Sequence, residues 1–342
     1  MFRIEIICTF VPDKLKLRYM ENALITTNTA PATVSAMAEI SHVIAVFAQQ
    51  QDVKNTSREL YRRAVAQYFD WVKASGRAIP NLTIADVIAY KEYLLSVGKS
   101  TLTVGGYINA IRRFFGWAEA NKLYPNIAKG VHAPKRKQEF KKQPLSVSKV
   151  AELLRYEAEQ SPRDYAIINL MARTGLRCIE VTRANIGDIT YLGADNTRVL
   201  MVQGKGRDAK DNYVILTDAA YKPIRDYLAT RKGEPETAPL FVSESNHTAN
   251  GGRLTTRTVS AIAKKGLRNV GLDNKAFTAH SLRHTAGTNI LRAGGTLEQA
   301  QMCLRHANPA TTQIYAKMAL NERRLSNGGE TLLDRLYNTA MG

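Results

Sequence analysis

Apolar residues recur at three- and four-residue spacing through most of this chain, and only two short runs change to β-type composition. That pattern confines it to a mainly α fold with a small β-sheet. From about residue 36 to 128 the stripes are continuous. Ile40, Val43, Ile44 and Phe47 share one face, and Leu60, Tyr61, Ala64, Tyr68 and Trp71 share another. Thr83, with Asp86 three residues on, starts a third helix, and Ser100 starts a fourth that runs through Ile108, Ile111 and Phe115. Four helices in about ninety residues predict a small bundle.

Further on, helices are expected at Ser146–Tyr156, Arg163–Arg173, Arg177–Thr182, Ala219–Arg231, Thr256–Val270, Ser281–Ala293, Thr296–Leu304 and Pro309–Ala316. The β-type runs are Arg198–Gln203 and Asn212–Leu216, rich in Val, Leu and Ile, with Gly204-Lys205-Gly206 between them like a hairpin loop. Residues 1–35 fit neither pattern, and Met20 competes with Met1 as the natural start. Residues 129–144 hold six basic residues, one Pro and one Gly up to Lys142, and read as a basic linker. The expected divisions are therefore 1–35, a bundle at 36–128, a linker at 129–144, a second domain at 145–325 and a tail helix at 326–342.

The 342 residues include 48 Lys and Arg against 30 Asp and Glu, a formal net charge of +18. Such an excess suits a polyanion, because neutralising phosphates releases condensed counterions. A solvated basic surface and an acidic membrane are the other readings, but no basic amphipathic anchor stands out. The exposed pairs Arg62-Arg63 and Arg112-Arg113, with Lys135, Arg136 and Lys137 of the linker, are the candidate backbone contacts. Three widely separated cysteines (Cys8, Cys178, Cys303) make no CxxC pair, and the default location is cytoplasmic. No apolar run approaches the 18 or so residues of a membrane span.

Four fragments carry the chemistry: Thr174-Gly175-Leu176-Arg177, Gly204-Lys205-Gly206, His280-Ser281-Leu282-Arg283-His284 and Leu304-Arg305-His306, with Tyr315 nine positions later. Two arginines, a lysine and two histidines can surround one phosphate with charge and donors, and a tyrosine can attack it. This inventory calls for no acidic metal cage and no cofactor. His280 and His284 lack the Glu of a metal-binding HExxH helix.

In this order and spacing the fragments, with Glu180, resemble the tyrosine recombinase (phage integrase) family. The resemblance covers roughly residues 145–325. It implies an N-terminal SAM-like helical core-binding bundle followed by an α+β tyrosine-recombinase catalytic domain. Arg177 and Arg283 would then clamp the scissile phosphate, Lys205 would protonate the leaving 5′ oxygen, and Tyr315 would be the nucleophile. His280 would exchange the tyrosine proton, His306 would bond the phosphate, and Glu180 would orient the site. Lys210 competes with Lys205 for its part. His284 reads as packing, and Arg305 departs from the small residue that usually precedes the final histidine.

The implied activity is site-specific DNA recombination through a 3′-phosphotyrosyl intermediate and a Holliday junction, serving integration, excision or resolution, on a mobile element for instance. The implied partners are double-stranded DNA with inverted-repeat core sites, a homo-tetramer on that DNA, and accessory DNA-bending proteins. No membrane partner is expected. Leu332, Leu333 and Leu336 line one stripe of the tail helix, which the resemblance suggests docks on a neighbouring protomer. A type IB topoisomerase and a catalytically silent DNA-binding regulator are the competing readings.

Overall fold

In the computed structural model, residues 32–135, 143–204, 206–244 and 252–341 are described. The early β-like run, Met20, Arg136, Lys137 and Lys205 all lie outside them. The chain divides into two compact units on either side of Gln138.

The first unit is built from α1 (Ala32–Gln49), α2 (Asn55–Ala74), α3 (Ile84–Ser96) and α4 (Thr101–Ala120), with a single 3₁₀ turn at Ile79–Asn81. The α2 stripe buries Ala64, Val65, Tyr68, Phe69 and Val72, and α4 answers with Val104, Ile108, Ile111, Phe114 and Phe115. Aromatic edges meet faces inside this core, as between Tyr68 and Tyr90 at 5.2 Å and between Phe47 and Phe114 at 5.3 Å. Asp86 accepts the Thr83 amide at 2.8 Å, closing the expected capping box at the start of α3. Ala128 and Val131 are buried in the same core, so the basic segment leaves the bundle only after Val131.

The second unit contains α5 (Val147–Gln160), α6 (Pro162–Thr174), α7 (Cys178–Arg183) and a 3₁₀ turn at Ile186–Asp188. The strands β1 (Ile189–Leu192), β2 (Thr197–Val202) and β3 (Asn212–Ile215) follow. After them come α8 (Asp218–Leu228), α9 (Thr256–Asn269), α10 (Ala279–Arg292), α11 (Leu297–Leu304), α12 (Ala310–Asn327) and α13 (Gly329–Met341). The sheet is antiparallel in the order β1-β2-β3, with Ile189 opposite Leu200 and Leu200 opposite Val214. Helix α6 is central. Its Ala166, Ile167, Ile168, Leu170 and Met171 are all buried, and it packs against α5, α8 and α10. An apolar surface around most of a helix belongs to one enclosed by neighbours.

Two elements differ from the sequence reading. Strand β1 adds a third strand, and α12 continues past Ala316 to Asn327. Glu322 explains the second difference, because both its oxygens take N–H groups of Arg292 on α10, at 2.6 and 2.8 Å. A smaller apolar cluster then joins α10, α11 and α12 through Ala286, Leu291, Ala300, Leu304, Tyr315 and Ala319.

Candidate active site

The site is assembled where three helices end or begin. Gly175 closes α6 at φ +63°, and a Cβ there would come within 2.5 Å of Leu304 Cδ2. Glycine meets both demands at once. The turn buries Leu176 and places Arg177 at the cap of α7, where its amide donates to Glu180 Oε2 at 2.7 Å. The Arg177 guanidinium then donates to Glu180 Oε1 at 3.0 Å. About a third of the Arg177 side chain stays exposed, whereas Glu180 is 1% exposed.

Arg283, on α10, is 1% exposed. Its guanidinium donates to the carbonyl of Gly175, at 2.6 Å, and to that of Leu304. Those carbonyls lie at the C-terminal ends of α6 and α11, where a cation is favoured. Burial, and then the nearby Arg177, push the guanidinium down to about 10, which leaves it charged at neutral pH.

Arg305 takes the left-handed conformation at φ +54° and ends α11. Its guanidinium donates to the Cys303 carbonyl at 2.7 Å and to Glu180 Oε2 at 2.9 Å. Burial opposes ionisation of Glu180, but Arg305, Arg177 and Arg283 together hold its carboxyl below the ordinary range. The departure at position 305 therefore keeps the turn and adds a third arginine around one carboxylate.

His306 follows, 8% exposed, with its Nδ1 2.8 Å from Thr312 Oγ1. When Thr312 donates in that bond, the histidine proton sits on Nε2, the tautomer that can donate to a phosphate. Burial and the charges of Arg283, Arg177 and Arg305 push His306 down to about 4, so it is neutral at pH 7. Its ring lies nearly parallel to that of Tyr315, with centroids 6.1 Å apart.

Tyr315 sits near the start of α12 and is 2% exposed. Burial pushes its phenol up, and Arg283 and Arg177 act in the opposite direction. Its hydroxyl lies 2.9 Å from Nδ1 of His284. His284 was the residue read as packing. It shares a face of α10 with the exposed His280, and the two rings meet edge to face at 4.6 Å. The four-residue spacing was visible in sequence, but it points equally to a metal, a packing pair or a proton path.

The structure thus brings Arg177, His280, Arg283, His306 and Tyr315 into one electrostatically coupled group, together with Glu180, His284 and Arg305. Lys205 lies outside the described residues, although Arg183 of α7 donates to the neighbouring Gly204 carbonyl at 3.0 Å. Lys210, its competitor, is ion-paired with Asp188. In the first unit Arg112 and Arg113 line a recess of about 510 Å³ with Lys129, Asn109, Asn126 and Tyr61. Arg62 and Arg63 lie beside Glu59, at 2.8 and 3.6 Å, which offsets part of their charge. Lys135 is exposed. Among the described residues no helix is long and apolar enough to cross a membrane.

A mainly helical fold that sets a tyrosine hydroxyl among arginines and histidines is the architecture of a phosphoryl-transfer site with a protein nucleophile. The model of the phage integrase family matches residues 144–322. The tyrosine recombinase XerC of Pelobacter propionicus is 30% identical over 267 residues, covering 76% of this chain and 84% of the relative. XerC of Corynebacterium glutamicum is 30% identical over 253 residues, covering 72% and 77%. Among solved structures, XerH recombinase bound to a palindromic difH substrate superposes with a TM-score of 0.65 at 18% identity, covering 80% of each chain. A lambda integrase dimer on a COC′ core site gives 0.60 at 16%, covering 82% of this chain and 94% of that one. The chain belongs to the phage integrase family of tyrosine recombinases, site-specific enzymes that cleave and rejoin DNA.

Proposed function

We propose that Tyr315 attacks the scissile phosphate of a duplex held by Arg177 and Arg283, with His306 donating to a phosphate oxygen. The observation that carries this reading is the placement of the Tyr315 phenol among two arginines and His306, which would stabilise charge developing on phosphorus. The attack leaves a 3′-phosphotyrosyl bond and a free 5′ hydroxyl, with Lys205 protonating the leaving oxygen and His280 assisting proton exchange. The phosphodiester energy is kept in the covalent bond, so rejoining needs no ATP.

In this reading the first unit is the core-binding domain. Arg62, Arg63, Arg112, Arg113, Lys135, Arg136 and Lys137 are its phosphate contacts, those before residue 136 supported by their exposed positions on and after the bundle. The enzyme acts in the cytoplasm as a homo-tetramer on paired inverted-repeat sites, resolving a Holliday junction with accessory DNA-bending proteins. Integration or excision of a mobile element and resolution of joined replicons all use this reaction. Helix α13, exposed at every residue, docks on a neighbouring protomer.

A nicked suicide substrate tests the core of this reading. The wild-type protein should form a covalent protein–DNA adduct, and Tyr315→Phe should form none while still binding the duplex. An adduct that persists in Tyr315→Phe would assign the nucleophile elsewhere.

A further inference from the structure

Tyr315 is 2% exposed, so its proton cannot pass directly to bulk water as the oxygen attacks. A group within hydrogen-bond reach of Oη must take it. His284 Nδ1 lies at 2.9 Å. The neighbouring candidate, His306, has its own Nδ1 engaged with Thr312 Oγ1 at 2.8 Å and turns its ring face toward the tyrosine, at an interplanar angle of 11°. We propose that His284 accepts the phenol proton of Tyr315 during cleavage and returns it during rejoining. This rests on Tyr315 being the nucleophile.

The step balances without an outside reagent. The Oη–P bond forms, the phenol proton moves to His284 Nδ1, and the P–O5′ bond breaks. The departing 5′ oxygen takes its proton from the opposite side of the phosphorus, the part assigned above to Lys205. In rejoining, the 5′ hydroxyl attacks, and imidazolium at position 284 reprotonates the leaving phenolate.

The surroundings suit such an acceptor. Burial, followed by His280 and Arg283 on α10 and by His306 beyond α11, holds His284 neutral down to about pH 4 in the free protein. Tyr315 faces it from α12. A bound phosphodiester brings a negative charge into this positive group, which raises the proton affinity of His284 when a proton must be taken. His280, one turn away and exposed, places a second titrating ring between His284 and solvent.

The experiment is single-turnover cleavage of the nicked duplex by the full-length protein at saturating DNA, from pH 5 to 9. His284→Asn keeps an amide near the Nδ1 position but cannot accept a proton, and His284→Gln serves if the Asn variant fails to fold. The variant should bind DNA as the wild type does, cleave about 10²–10⁴-fold more slowly, and lose the acid limb of the rate profile. A sulfur-bridged 5′ leaving group should not restore it, although it should restore Lys205→Ala. A wild-type rate without an acid limb would overturn the proposal. So would a His284→Asn rate equal to or above wild type while Tyr315→Phe makes no adduct. An adduct in Tyr315→Phe sinks the nucleophile reading itself.

Discussion

Glu180 is the residue on which the arginines converge. Buried, and bonded to Arg177 and Arg305, it is a carboxylate whose loss would strand Arg305 with its charge buried. Removing one partner of such a pair costs about 3–5 kcal/mol. Glu180→Ala should lose stability of that order in urea unfolding, and a loss under about 1 kcal/mol would show the pair to be incidental. Arg305→Gly should cost about 1 kcal/mol less than Arg305→Ala, because only glycine accepts φ +54° without strain. The same cluster sets a pH dependence. His284 and His306, pushed down to about 4, bind protons in the unfolded chain below pH 6.5 but not in the folded one until near 4. Each therefore contributes stability that is complete above pH 6.5 and is lost as pH falls toward 4, at most about 3 kcal/mol apiece. The lowered Glu180 carboxyl acts in the same direction at still lower pH. The urea midpoint should fall steadily from pH 7 to 4.5, and a flat profile would contradict the burial of both histidines. Residue identities here were legible in sequence because fixed chemistry needs fixed side chains. The Glu180–Arg305 pair and the His284–Tyr315 bond were not legible, since they depend on how separate helices meet.

At the scale of elements, the tyrosine is placed by packing between α10 and α12. Gly287 on α10 leaves room for it: a Cβ there would approach Leu304 Cδ1 to 2.7 Å and the Tyr315 ring to 3.2 Å. Gly287→Ala gains helix propensity of about 1 kcal/mol but forces the ring or Leu304 to move. The expected outcome is a protein of near-normal melting temperature whose adduct forms at least about tenfold more slowly, since small displacements of a reacting group are costly. Unimpaired cleavage would mean that α12 has slack to absorb the methyl group. The helices themselves were readable because their stripes repeat at the helical period, and their expected ends fall within a few residues of those seen, α12 apart. Strand β1 was missed because four residues, Ile189–Leu192, are too few to display alternation. The far half of α12 was missed because its anchor is Arg292, 30 positions away from Glu322. Register between distant segments carries no local periodic signal.

For the molecule as a whole, each unit has its own core, and the last helix belongs to neither. Leu332, Leu333, Leu336, Tyr337 and Met341 on α13 are 49–80% exposed, and no residue of that helix is buried. An apolar stripe that covers nothing in its own chain is a surface for association. A second copy of this chain is the occupant that fits a recombinase working as an oligomer on paired sites. Removing residues 329–342 takes away no core contact, so the urea unfolding midpoint should stay within experimental error of wild type. Affinity for a duplex carrying one core half-site should be unchanged as well, because the basic surfaces of both units remain. What should fall is the yield of higher-order protein–DNA complexes on full sites, read by native gel or sedimentation, and with it recombination between two sites. If truncation lowers half-site affinity or stability as much as it lowers assembly, α13 serves its own chain. If assembly is untouched, the stripe is not the contact between protomers.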